Sequence, residues 1–256
     1  MGWSAQRYVA FEDERTRPVR DLLAALPALQ ARSVVDLGCG PGNSTEVLAA
    51  RFPKAAVRGL DTSPAMIAAA RQRLPRVHYS IGGIETWSDE GPFDVILANA
   101  VLQWVPNHAA LLPALVARLA QGGCLAVQMP DNLHVPAHRL MREVAAAGPW
   151  AQALQAASAS RTPIAEADWY FALLRPLCAK VDVWRTTYYH ALSGGPGAIV
   201  EWFKGSGLRP FLEPLDAPLR AAYLEKYMAA VAREYPVSPD GSVLLPFPRL
   251  FWVAVR

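Results

Sequence analysis

The sequence predicts an α/β fold with a seven-stranded, mostly parallel sheet, helices on both faces and an antiparallel last strand. Three observations lead there. In the first half, short apolar runs alternate with longer amphipathic stretches, the pattern of βαβ units. The first of these runs ends in a glycine-rich turn that opens a helix. In the second half, strand-like residues 181–192 and 249–255 are separated by helical sequence, which suits an antiparallel pair at one sheet edge.

The elements follow in order. Residues 18–28 read as a helix, with Val19, Leu22, Leu23 and Leu26 on one face. Residues 33–37 form the first strand, and the turn 38–42 leads into a helix over 44–51. A second strand, 56–60, precedes a helix over 63–73, capped by Thr62 or Ser63 with Pro64 in its first turn. Strands follow at 77–81 and at 93–99, the latter apolar enough for burial on both faces. A helix over 108–119 and a Gly-Gly turn precede the fifth strand, 123–129. Beyond Pro130, helices are expected over 138–155, 166–174, 199–204 and 217–234.

The length of 256 residues suits one domain. It divides into an N-terminal helical lid (1–30), a ligand-binding core (31–130) and a remaining sheet edge (131–256) carrying a small helical cap at about 193–245. With 52% apolar and 18% charged residues the chain reads as globular. A net charge of +3 without blocks of like charge speaks against a nucleic-acid partner and for small-molecule chemistry. Cys39, Cys124 and Cys178 lack zinc-ligand spacing and read as reduced thiols. Residues 1–20 contain no continuous apolar run of signal-peptide type, and Gln6 stands where a myristoylation signal needs Ser or Thr. The most apolar stretches are interrupted by Asn99, Gln103, Pro113 and Arg118, too early to span a bilayer. A cytoplasmic location without membrane contact is expected; oligomeric state is not legible.

The strongest signal is Val34-Val35-Asp36-Leu37-Gly38-Cys39-Gly40-Pro41-Gly42-Asn43. A buried strand delivers glycines to a tight turn where a ligand can approach the backbone. The spacing is G-x-G-x-G, with Asn43 where a dinucleotide fingerprint would place its last glycine. Asp36 would repel a pyrophosphate and attract an ammonium. Asp61, ending the second strand, suits a pair of ribose hydroxyls.

This run resembles motif I of class I S-adenosylmethionine-dependent methyltransferases, and Gly59-Leu60-Asp61 resembles their next motif. The resemblance implies a Rossmann-like fold and S-adenosylmethionine as cofactor. It sets Gly38 and Gly40 against the methionine moiety and Asp61 on the ribose, with Cys39, Asn43 and Thr62 beside them. Met66 falls near the adenine by resemblance and in the core by helical spacing. Gly83 stands where many of these enzymes place an adenine-binding acid, which leaves that contact to the backbone of Gly83 and Ile84. Asn99 lies toward the methionine end, and Trp104 reads as pocket wall or core packing.

Longer strings are similar to the trans-aconitate 2-methyltransferases: Trp3 with Tyr8 to Pro18, Asn99 to Pro106, Gln128 to Asn132 and Glu201 to Pro210. The resemblance implies a small tricarboxylate acceptor that leaves as a monomethyl ester. A carboxylate is already ionised at neutral pH, so positioning alone is expected, without a catalytic base or metal. Acceptor anchors implied are Lys204 and Arg209, which read equally as solvated loop charges, with Trp202 beside them. Trp3 and Tyr8 are candidates to fold over the sulfonium, or else ordinary helix contacts. His134, Tyr188 and Arg249 complete the set. Rival readings are an NAD-dependent oxidoreductase, a cofactor-binding regulatory module, and a methyltransferase of another small acid, of nucleic acid or of protein.

Overall fold

The computed structural model describes residues 12–89, 91–159 and 163–256. Helix α1 (Glu12–Ala24) precedes β1 (Ser33–Leu37), α2 (Asn43–Arg51), β2 (Ala56–Asp61), α3 (Pro64–Arg73), β3 (His78–Ile81) and β4 (Phe93–Asn99). A 3-10 turn (Leu102–Trp104), α4 (His108–Ala117) and β5 (Leu119–Pro130) follow. The second half holds α5 (Pro136–Ala146), α6 (Gln155–Ala159), α7 (Ala167–Leu174), β6 (Lys180–Ser193), α8 (Pro196–Lys204), α9 (Arg209–Leu212), α10 (Ala217–Glu234) and β7 (Ser242–Val255).

The seven strands form one sheet in the order β3-β2-β1-β4-β5-β7-β6. Strands β1 to β5 pair in parallel. Strand β7 runs antiparallel: the Gly122 amide donates to Arg256, and the Ala179 amide donates to Val255. The fold class matches the sequence expectation, and the strand order reverses beside β1, where open α/β sheets bind ligands.

The chain divides into two compact units. The first comprises residues 1–130, 164–186 and 250–256. Its sheet registers explain its layers. Val35 and Leu37 share a face with Leu60 and join Phe93, Ile96, Leu112, Leu115, Tyr170 and Trp252 in one apolar core. On the opposite face Cys39, Ile67, Ala70 and Tyr79 pack together beneath α3. Between β3 and β4 the chain crosses the sheet as a loop rather than a helix, tucking Ile84 into the larger core.

The second unit comprises residues 131–163 and 187–249. Tyr223, Tyr227 and Val231 recur at helical spacing on α10 and are fully buried. The Tyr223 hydroxyl donates to Met141 O and the Tyr227 hydroxyl to Ala137 O, each at 2.9 Å, while the Ala137 amide donates to Tyr235 Oη at 3.0 Å. These bonds fasten α10 to α5 and give each buried phenol a partner.

Several boundaries differ from the sequence reading: the helix expected over 18–28 runs Glu12–Ala24, and three further shifts have a plain cause. The helix expected over 138–155 stops at Ala146, because Gly148 and Pro149 break it and Trp150 folds back to donate Nε1–H to Val144 O at 2.8 Å. Strand β5 begins at Leu119, with the Gly-Gly pair inside it as an irregularity opposite Phe93–Val95. Strand β7 begins at Ser242 although Pro246 and Pro248 lie within it; proline discourages a strand assignment, but here the Pro248 carbonyl still accepts from the Asp131 amide at 3.0 Å.

Candidate active site

The first unit gathers its polar backbone at the carboxyl ends of β1, β2 and β4. Leaving β1, Gly38 has φ +70°, and a Cβ there would lie 2.3 Å from the Val101 side chain. Only glycine permits that approach. Gly40 has φ +53°, but a Cβ built on it meets nothing within 4 Å: the space over this peptide is open. The amides of Gly38 and Cys39 both donate to Leu60 O, at 2.7 and 3.0 Å, which folds the loop against β2.

Asp61 ties this loop to the next helix. Its Oδ2 accepts from the Gly40 amide at 2.9 Å and its Oδ1 from the Ser63 amide at 2.8 Å. Ser63 in turn caps α3 by accepting from the Met66 amide. A carboxylate offers about four lone-pair sites, so Asp61 keeps capacity for further donors. Thr62 beside it is exposed and Met66 is buried.

Asp36 is fully buried, and its Oδ2 accepts from Ser44 Oγ and Thr45 Oγ1, both at 2.7 Å. Burial pushes its carboxyl up to about 7, with the neighbouring Asp61 adding to the rise and the two hydroxyls opposing it. Its placement gives the carboxylate a task the sequence did not suggest, fastening β1 to the first turn of α2. No signal marked Ser44 and Thr45 beyond their helix-start position. Cys39 is buried, and burial raises its thiol, which leaves it no thiolate character at neutral pH.

The remaining cofactor candidates lie in the loops after β3 and β4. Gly83 follows Gly82, whose amide donates to Asp61 O at 3.0 Å, and the Ile84 side chain belongs to the core. Asn99 ends β4, and Trp104 closes the 3-10 turn with 45% exposure. Between them Ala100 adopts φ +54°, a left-handed conformation that alanine rarely takes. Gln103 braces it, donating Nε2–H to Ala100 O at 2.7 Å. The sequence reading missed this turn, since neither residue type announces such a conformation.

Of the acceptor candidates, Trp3 and Tyr8 lie outside the described residues. The others all fall in the second unit. Tyr188, Trp202 and Arg249 are buried. Trp202 stacks on His190 at 4.6 Å between ring centroids, and the Arg249 guanidinium lies 4.7 Å over the Phe247 ring. Lys204 pairs with Glu201 and Arg209 with Glu213, while His134 is exposed.

Residues 34–123 match the family model of a methyltransferase domain. The trans-aconitate 2-methyltransferase of Methylobacterium nodulans is 59% identical over 99% of this chain and 98% of that one. Those of Rhodopseudomonas palustris (strain BisB5) and Variovorax paradoxus are 53% and 52% identical, each over at least 99% of both chains. The chain belongs to the trans-aconitate 2-methyltransferase family. Among solved structures, the YcgJ protein of Bacillus subtilis superposes with a TM-score of 0.60 at 12% identity, covering 94% of this chain and 98% of that one. Phosphoethanolamine N-methyltransferase 2 of Haemonchus contortus, solved with S-adenosyl-L-methionine, gives 0.56 at 14% identity over 93% of this chain and 52% of that one. Both likenesses concern the fold.

The cofactor of this family and fold is S-adenosylmethionine, and the residues present fit it. Asp36 Oδ1, Asn43 Oδ1, Asn99 Oδ1 and Gln103 Oε1 are buried acceptors without a hydrogen-bond partner among the described residues. They belong to the ends of β1 and β4, the start of α2 and the 3-10 turn after β4. Of these, the amide oxygens of Asn99 and Gln103, short of donors after β4, suit the cationic end of the cofactor, and the open space over Gly40 suits close approach to the backbone.

Proposed function

We propose that the chain methylates one carboxylate of trans-aconitate, forming its monomethyl ester. The observation that carries this reading is identity of 50% and above, over nearly the whole length, to relatives bearing that name. When bound, S-adenosylmethionine supplies an electrophilic methyl group on a sulfonium. This chain's residues then have three tasks: holding the donor, aligning the acceptor in line with it, and excluding water. Alignment of two bound reactants is worth several kcal/mol of barrier, and the acceptor arrives already deprotonated.

In this reading Gly38, Cys39, Gly40 and Asn43 receive the methionine moiety, Asp61 and Thr62 the ribose, and Met66, Gly83 and Ile84 the adenine. Asn99 and Trp104 border the methyl end. Asp36 acts through the loop it fastens. Arg249, buried with its guanidinium over the Phe247 ring, is the cation best suited to a carboxylate, since a guanidinium fork can meet both carboxylate oxygens. Trp202 and Tyr188 shape the surroundings, and Lys204, Arg209, His134, Trp3 and Tyr8 are further acceptor contacts. No catalytic base is required. The same reading places the protein in the cytoplasm with no nucleic-acid or membrane partner; no helix of the described residues is long and apolar enough to cross a membrane.

The test supplies radiolabelled S-adenosylmethionine with trans-aconitate, cis-aconitate, citrate, isocitrate and a long-chain fatty acid. Label in a base-labile ester of trans-aconitate, well above the other acids, is expected. Preference for another acid replaces the substrate, and binding without transfer to any acid leaves a regulatory module.

A further inference from the structure

The turn after β4 carries an arrangement whose chemistry deepens the proposed reaction, and this inference rests on that reading. Gln103 donates Nε2–H to Ala100 O at 2.7 Å, which holds the amide by its nitrogen and leaves Oε1 to another partner. That Oε1 is buried and has no hydrogen-bond partner, and the same holds for Asn99 Oδ1. The residue between them is strained at φ +54°, and its N–H donates to Gln128 O at 2.8 Å, so the strained peptide is held from both sides. The turn abuts the glycine loop, because Val101 fills the space where a Gly38 side chain would stand.

An unpaired buried carbonyl costs about as much as a good hydrogen bond gains, and strain of this kind collects at ligand sites. The donor these oxygens await can be named by elimination. An ionised tricarboxylate has neither N–H nor O–H to give. In the cofactor the ribose hydroxyls go to Asp61 and the adenine amine to the loop after β3, which leaves the α-ammonium with its three donors.

We propose that Gln103 Oε1 and Asn99 Oδ1 accept from the α-ammonium of S-adenosylmethionine, and that uncharged amides serve there because the nucleophile is itself an anion. A carboxylate at either position holds the cation more tightly but repels the incoming acid, and like charges a few ångströms apart in a partly desolvated site lose orders of magnitude in affinity. Gln103 and Asn99 thus bear on the choice of acceptor as well as on cofactor binding.

Calorimetry on the purified protein tests the contact with two ligands, S-adenosylhomocysteine and its analogue in which hydrogen replaces the α-amino group. Gln103→Leu is expected to weaken S-adenosylhomocysteine by about 10- to 100-fold, the size of one charge-assisted hydrogen bond, while leaving the deamino analogue within about twofold. Equal weakening of both ligands reduces Gln103 to a brace for Ala100, and no weakening of either removes the contact; each result overturns the proposal. Should Gln103→Leu fail to fold, Asn99→Leu is read in the same way. For the charge argument, Asn99→Asp is expected to bind S-adenosylhomocysteine tighter and to raise the KM for trans-aconitate at least about tenfold. An unchanged acceptor KM overturns that half. Wild-type protein that methylates no polycarboxylate, yet shows the expected pattern of binding, refutes the proposed acceptor and leaves the ammonium contact standing.

Discussion

Replacing Asp36 with asparagine should change how stability depends on pH. Asp36 is fully buried, receives two hydroxyl hydrogen bonds on one oxygen, and has its carboxyl raised by burial from 3.8 to about 7. A group whose folded pKa lies above its unfolded value binds its proton more tightly in the folded state. Its contribution is therefore fully present below about pH 4 and is lost as pH rises through about 7. At about 1.4 kcal/mol per unit the loss approaches 4 kcal/mol, a large share of an ordinary domain's stability. Asparagine keeps the shape, and the Ser44 and Thr45 hydroxyls can turn to meet it. Urea denaturation of cofactor-free protein at pH 4, 5, 6, 7 and 8 measures the effect. The wild type should lose stability relative to Asp36→Asn across this window, by a few kcal/mol in all, and fall below the variant at the alkaline end. Two curves that stay parallel within about 1 kcal/mol would refute the assignment of a strained carboxylate to this site.

Four further predictions concern other positions. Gly38→Ala should destabilise the fold by more than about 2 kcal/mol through the clash with Val101, and Val101→Ala should recover only part of it because the positive φ remains, as measured by paired denaturation curves. Gly40→Ala has no neighbour to strike, so its folding cost should stay near 1–2 kcal/mol while S-adenosylhomocysteine affinity, read by calorimetry, falls at least about tenfold. Ala100→Gly should raise the thermal midpoint, by the equivalent of about 0.5–1 kcal/mol, since relief of the left-handed strain outweighs the entropy of glycine. Arg249→Lys should raise the acceptor KM about tenfold or more with cofactor affinity unchanged, because an ammonium cannot reproduce the bidentate fork.

How far the sequence could be read follows from the range of the interactions concerned. The glycine loop and Asp61 were legible because their signals are local: a turn needing positive φ leaves glycine in the chain, and an acid at a strand end stands where strand periodicity puts it. The strand count was legible for the same reason. The partners of Asp36 were not, since Ser44 and Thr45 look like any helix start until the carboxylate is seen to point at them. Nor was the Ala100 turn, whose conformation is imposed by Gln103, Gln128 and the packing of Val101 rather than by alanine. The early halt of α5 was marked locally by Gly148 and Pro149, which the helical reading ran past, whereas the indole of Trp150 folding back onto Val144 O is not revealed by residue spacing. For the acceptor candidates the sequence offered charge and aromaticity alone. The structure separates buried Arg249 and Trp202 from Lys204 and Arg209, which pair with Glu201 and Glu213.

The position of β7 has a consequence for how the chain is made. It follows every other strand in the chain yet lies inside the sheet, between β5 and β6. As the polypeptide grows from the ribosome, β5 therefore carries an open row of amides and carbonyls until residues 242–255 emerge. The first unit cannot complete its sheet during synthesis, however early its glycine loop is in place. Loss of residues 242–255 would delete an interior strand and part the sheet, leaving a template for another copy to fill.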